Sequence, residues 1–269
     1  MVRIGLFATG AFLLVLNVAG FFMPLRNDAI YHERSNFPDD ITLTVKEVGR
    51  CLTRGGEPDS LYILRVNAAV NRGIAHYWRD EGVKTYRLTV PITENYVLHA
   101  LSYLYPGVYR KYEFYDYRKA VERGVGMCSQ VSLIAAQVLN RNGVDARIVA
   151  MNGHVVATAL VDRTRGQWWV LDPDYGIVIT SSIREIQRDP AIAGERYRRS
   201  GYDGNTVTPM ERIYGDSAAT AIYDVVGYSG KKYYIERVSY VLIWLLPLAL
   251  MAPYLIGRLR WFRGRRGNP

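Results

Sequence analysis

Two uncharged apolar runs stand near the two ends of the chain, and between them short periodic segments alternate with glycine and proline. Residues 4–25, IGLFATGAFLLVLNVAGFFMPL, form the first run. At about 1.5 Å per helical residue a run of this length spans roughly 30 Å of hydrocarbon. Residues 238–256, VSYVLIWLLPLALMAPYLI, form the second, with Tyr240 and Tyr254 near its ends where aromatic residues favour a membrane interface. The pattern predicts two transmembrane helices, over 1–25 and 238–257, framing one domain over 26–237. The first run also reads as a cleaved signal peptide, because Val18-Ala19-Gly20 offers small residues at a cleavage point. Its continuation through Phe21, Phe22 and Met23 favours an anchor. A buried core helix is the competing reading of the second run, opposed by its length and by the arginines that follow.

Inside the framed domain the spacing of apolar residues predicts a helix over 41–53 capped by PDD, and an amphipathic helix from about 58 to Gly82. KTYRLTV (84–90) reads as a short strand, and residues 93–105 as a helix stopped by Pro106-Gly107. YDYRKAVERG reads as a helix ended by Gly124. From Cys128 a helix with Val131, Ile134, Ala135 and Val138 inward runs to a cap at Gly143, and the strand VDARIVAM follows. HVVATALVD and QWWVLD, separated by RTRG, form an antiparallel hairpin. SSIREIQRD is a capped helix and GYDGNTVTP (201–209) a loop. The fold class is therefore α+β, in a single extramembrane domain flanked by two transmembrane helices.

Charge looks at first like a nucleic-acid signal, at a net +9, until the charges are placed. Arg258, Arg260, Arg263, Arg265 and Arg266 crowd the basic tail 258–269, and Arg3 opens the chain; removing these six leaves 9 − 6 = +3 for the rest. No nucleic-acid partner is expected from so weak a footprint. By the positive-inside tendency the tail and Arg3 keep both termini cytoplasmic, which places 26–237 on the periplasmic or extracellular side and makes the lipid bilayer a partner.

Only two cysteines are present, Cys51 and Cys128. Cys128 follows Gly124 and Gly126 and opens a helix, where free backbone N–H groups and the helix dipole favour a thiolate. His154 begins the first hairpin strand and Asp172 ends the second. With Thr164 at the centre of the turn, Val156 lies opposite Asp172, so His154 is its diagonal neighbour at roughly 7–8 Å. A carboxylate orienting an imidazole that serves a thiol is the arrangement nucleophilic catalysis requires. The alternative, a Cys51–Cys128 disulfide, would remove the nucleophile. The histidines (His32, His76, His99, His154) have no HxH or HExxH spacing and no CxxC occurs, so no metal is expected, and no glycine-rich phosphate loop calls for a cofactor.

The stretches GVGMCSQVSLIAAQVLNRNGVDARIV, GHVVATALV and QWWVLDPDYG, within about 110–178, resemble the transglutaminase-like superfamily. The resemblance implies a membrane-anchored, bacterial-type member with a papain-like core, a nucleophile helix packed on an antiparallel sheet. It implies Cys128 as nucleophile, His154 as general base and then acid, and Asp172 as orienter. Many members carry an aromatic residue directly after the cysteine and a tryptophan two after the histidine; here Ser129 and Val156 stand there. One oxyanion donor is the Cys128 backbone N–H, with Tyr117 or Asn95 as candidates for the other. The expected activity is acyl transfer, first as hydrolysis of a peptide or amide bond, alternatively as amide cross-linking or ligation. A catalytically inactive scaffold in cell-envelope polysaccharide or protein assembly is the reading that keeps the fold and drops the chemistry. The expected partners are a peptide, protein or envelope-polymer substrate and other membrane proteins, and the tyrosine-rich SYLYPGVYRKYEFYDY could line a substrate groove.

Overall fold

A computed structural model describes residues 1–31, 41–77 and 83–266, and the chain divides into two compact units. Residues 1–25, 87–112 and 231–269 form unit 1; residues 26–86 and 113–230 form unit 2. The expected domain over 26–237 is thus interrupted, because segment 87–112 groups with the terminal helices.

Unit 1 contains α1 (Val2–Gly20), α4 (Tyr96–Leu104), α5 (Pro106–Tyr109) and α12 (Lys231–Arg266). Helices α1 and α12 are both long and apolar enough to cross a membrane. They pack against each other closely at Gly10, where a Cβ would stand 2.6 Å from the Pro247 carbonyl oxygen and 2.7 Å from Met251 Cγ. Small residues allow such approach between helices in lipid. Pro247 lies within α12 and has no N–H for the carbonyl of Ile243 one turn earlier. Asn17 Nδ2 donates to that carbonyl at 2.5 Å and Tyr96 Oη at 3.0 Å, so the helix runs through the proline with its freed acceptor satisfied. The first apolar run stops being helical after Gly20, which sits against the Thr93 carbonyl. At the N-cap of α4, Asn95 accepts from the Val97 and Leu98 amides and donates to Ser239 Oγ of α12 at 2.9 Å. Helix α4 ends at Leu104, just before Pro106 as expected, and Pro106 then opens the separate short helix α5 from its first position, where its missing N–H costs nothing.

Unit 2 is built on a five-stranded antiparallel sheet in the order β6-β5-β4-β3-β7. The strands are β3 (Ala146–Met151), β4 (His154–Asp162), β5 (Gln167–Asp172), β6 (Ile177–Ile179) and β7 (Ala221–Tyr223). Strand alternation buries Val149, Val156 and Val170 against a layer made by α8 (Ile183–Arg188), α9 (Ala191–Arg199) and α10 (Gly204–Gly215). The intervening Ile148, Ala157 and Leu171 are fully buried on the other face, where α7 (Cys128–Arg141) packs on β3 and β4. Ser132 Oγ of α7 donates to the Val155 carbonyl of β4 at 2.9 Å, fixing helix to sheet. The remaining elements are α2 (Val45–Leu52), α3 (Asp59–Gly73), α6 (Tyr117–Arg123), α11 (Val225–Ser229) and a small parallel pair, β1 (Ala75–His76) with β2 (Val125–Gly126).

Several expectations change. The cap of α2 is Thr44 in a reciprocal capping box with Glu47; the PDD segment lies outside the described residues. Helix α3 ends at Gly73, well before Gly82, because the Ala75 and Tyr77 amides donate to the Gly124 and Gly126 carbonyls, both at 2.8 Å. Residues 84–90 form turns rather than a strand, and Arg87 has φ +55°, incompatible with extension. Residues 204–209, read as loop, open α10: Asp203 caps it, and burial of Val207, Met210 and Tyr214 holds the helix despite Pro209. The hairpin register is as expected, with Ala157 opposite Leu171, which continues to Val156 opposite Asp172.

Gly124 ends α6 at φ +74°, and a Cβ there would stand 2.4–2.6 Å from the Arg26 guanidinium. That guanidinium donates to the Val121 carbonyl at 2.8 Å and the Gly73 carbonyl at 3.0 Å. Gly153, at φ +92°, has open space where its Cβ would be. Gly153→Ala should cost about 1–2 kcal/mol, the left-handed penalty alone. Gly124→Ala should exceed it by about 1–3 kcal/mol through disruption of the buried Arg26 bonds, as measured by denaturant unfolding.

Candidate active site

Cys128 is the first residue of α7, presented there by a chain that cannot be moved easily. Met127 before it is extended (φ −93°, ψ 174°) and contributes no side-chain cap. Arg123, fully buried, donates through Nε to the Val125 carbonyl at 2.9 Å and through Nη2 to Gln130 Oε1 at 3.2 Å, with its guanidinium over the Phe114 ring. Gln130 in turn donates to the Phe114 carbonyl at 2.9 Å. Gly126 sits in β2 and leaves room for Gln130, whose Cβ and Cγ would stand 2.6 Å from any Cβ at 126. The thiol is half-buried, and both Cys128 and Cys51 are free, so the disulfide alternative is not realised.

His154 and Asp172 meet as the hairpin register requires. His154 Nε2 lies 2.7 Å from Asp172 Oδ2, with His154 4% exposed and Asp172 0%. The same carboxylate oxygen accepts a short bond from the Tyr197 hydroxyl of α9, and the Tyr175 amide donates to Oδ1 at 3.4 Å. The Tyr175 ring meets His154 edge-on at 5.7 Å and touches Tyr197 and Tyr202 in the same way. The Cys128 side chain acts on the His154 ring, favouring its charged form. With Nε2 on the carboxylate, Nδ1 is the nitrogen left for the sulfur.

Burial by itself disfavours the charged imidazole and pulls His154 down. The Asp172 charge and its hydrogen bond oppose that, helped by the Cys128 side chain, and the result is a pKa raised from 6.5 to about 10. The ring is therefore held as imidazolium through neutral pH. Burial, and then the Asp172 charge, likewise push the Tyr175 phenol up to about 12, so Tyr175 stays a neutral wall of the site.

The three residues expected from the sequence are thus brought together, but several neighbours were not foreseen. Tyr197 and Tyr175 anchor the orienting carboxylate and cover the imidazole. Asp174 contacts His76 Nδ1, forming a second His–Asp pair beside the first. On the other side, Ser129 Oγ donates a short bond to Glu113, and Tyr228 hydrogen-bonds Ser129. Tyr197, His76, Glu113 and Tyr228 come from helices and loops remote in sequence and no local motif marks them, whereas Asp174 and Tyr175, just after Asp172, and Ser129, beside Cys128, carried a positional hint. Of the two candidate oxyanion donors, Asn95 has both ends of its amide occupied at the cap of α4. Tyr117 is stacked with Arg118 and Arg141, and the described contacts do not carry it to Cys128.

The ligand atoms of His154, Asp172 and Asp174 lie within 4.8 Å of one another, a spacing a cation could bridge. In the arrangement present, however, they are engaged with one another, with Tyr197 and with His76. No family model, no curated protein and no solved structure matches the chain.

A histidine whose folded pKa is raised adds stability that is complete below its unfolded value and lost as pH rises through the folded one. The His154 contribution should be full below about pH 6.5 and gone above about pH 10. Denaturant unfolding from pH 6 to 10.5 should show that decline in the native protein and not in Asp172→Asn, and ring-labelled NMR should show the His154 midpoint falling by more than one pH unit in that variant.

Proposed function

We propose that the protein is a membrane-anchored cysteine enzyme of transglutaminase-like type that transfers acyl groups, with hydrolysis of a peptide or amide bond as its reaction. The single observation that carries this reading is the Cys128–His154–Asp172 grouping: a half-buried thiol at a helix start that acts on an imidazole whose Nε2 lies 2.7 Å from a fully buried carboxylate. A structural cysteine in an apolar core has no need of such a partner.

In the proposed cycle the Cys128 thiolate attacks the carbonyl carbon, and the tetrahedral oxyanion is met by the Cys128 backbone N–H. The carbon–nitrogen bond breaks, and the amine leaves with the proton supplied by the His154 imidazolium. Water then enters; neutral His154 takes one of its protons, oxygen attacks the thioester carbon, and the carbon–sulfur bond breaks to release a carboxylic acid and restore the thiolate. Asp172 holds the ring through Nε2 so that Nδ1 serves the sulfur in both halves. An amine in place of water would give ligation. By the positive-inside tendency both termini are cytoplasmic and unit 2 is extracytoplasmic.

At pH 7 a fluorescent iodoacetamide should label Cys128 in the full chain at least about tenfold faster than Cys51, with His154→Ala abolishing the difference. Equal rates for the two thiols, or acyl transfer unaltered by Cys128→Ala, would leave the scaffold reading standing. A reporter fused after Pro269 should be active only when the fused side is cytoplasmic.

A further inference from the structure

A second recessed site lies at the other end of the sheet. His154 and Thr158 share a face of β4 by alternation, four residues and therefore roughly 13 Å apart along the strand. Between them Val156, with Val170 on the neighbouring strand, is sealed by the α8–α10 layer. Past the end of that cover a groove of about 320 Å³ opens across β3, β4, β5 and β7.

Arg147 and Arg184 reach this groove, and both side chains are exposed. Among the described residues no carboxylate pairs with either. Arg147 is instead stacked over Trp168 at 5.0 Å, and such stacking immobilises a guanidinium while leaving its in-plane N–H fork available. Between the cations the wall is apolar, from Ile183 and the 44% exposed Ile222. The hydroxyls present are already engaged: Thr158 donates to the Trp169 carbonyl at 2.8 Å, and Ser182 and Glu185 hold each other in a capping box. A hydroxyl-rich sugar would find few partners there, whereas a carboxylate flanked by apolar atoms finds both complements. Ile222 also belongs to β7, the terminal strand of the sheet, whose outer side pairs with no strand among the described residues. A groove crossing four strands takes an extended segment laid over the sheet face.

We infer that this groove binds an extended acidic peptide segment, with its carboxylates on Arg147 and Arg184 and its alternating apolar side chains against Trp168, Ile183 and Ile222. The site is separate from Cys128 and does not rest on the chemistry proposed for it.

The test is fluorescence anisotropy with the full chain in nanodiscs, using an eight-residue Glu/Leu alternating peptide as probe. Binding should weaken with salt and fall at least about tenfold in Arg147→Gln/Arg184→Gln, with an unchanged melting temperature. It should persist in Cys128→Ala, which separates this inference from the proposed activity. Trp168→Phe should retain most of the affinity and lose the accompanying change in indole emission. Equal binding of a Lys/Leu peptide, undiminished binding in the double arginine variant, or tighter binding of an acidic oligosaccharide such as trigalacturonate would each overturn it.

Discussion

A carboxylate with no exposure to water, that of Asp172, is the group on which the organisation of unit 2 turns. A buried charge survives only with partners, and here three converge from different places: an imidazole from β4, a phenol from α9 and a backbone amide from the turn after β5. Each partner is also a packing element. Tyr197 belongs to the core under the sheet, and Tyr175 packs on both Tyr197 and His154. The α8–α10 layer thus fixes the carboxylate, the carboxylate fixes the ring, and the ring keeps one nitrogen for the helix start on the other side of the sheet.

The Cys128 end is held by a comparable but cationic device. Two guanidiniums, Arg26 and Arg123, are buried around the α6–α7 connection and satisfied largely by backbone carbonyls. They gather the chain just before Cys128, which is why Gly124 tolerates no side chain and why β1 can pair with β2 there. Precision at the thiol then comes from backbone groups and buried arginine rather than from a large apolar cluster, consistent with a loop entering a helix at an edge of the fold. In unit 1 a different constraint governs, since a proline in a long apolar helix frees a carbonyl that lipid cannot satisfy, and Asn17 and Tyr96 supply the missing donors.

Much of this was legible in the chain. Periodicity located α6, α7, β3, the β4–β5 hairpin and α8, because each is a local pattern closed by its own cap or turn. The hairpin register followed from the RTRG turn, and with it the meeting of His154 and Asp172, since a side-chain period of two leaves no other face for them. The two apolar runs announced themselves by length and absence of charge alone. Where propensity failed, as with the helix carried past Gly73, the strand placed over 84–90 and the loop placed over 204–209, the deciding interactions were non-local. Backbone pairing to 124–126 ended one helix, and burial of Val207, Met210 and Tyr214 held another through its proline.

The chain by itself therefore placed Cys128 at a helix start, His154 at a strand start and Asp172 at a strand end, because helix starts, strand ends and turns are short-range events. Only the tertiary structure decided what surrounds them: Tyr197 on Asp172, His76 against Asp174, Glu113 on Ser129, and Arg147 over Trp168 at the far end of the sheet. These contacts join residues with no common period, so no local pattern could encode them. Burial makes them consequential, for in the interior every polar group must find its partner wherever the fold happens to bring one.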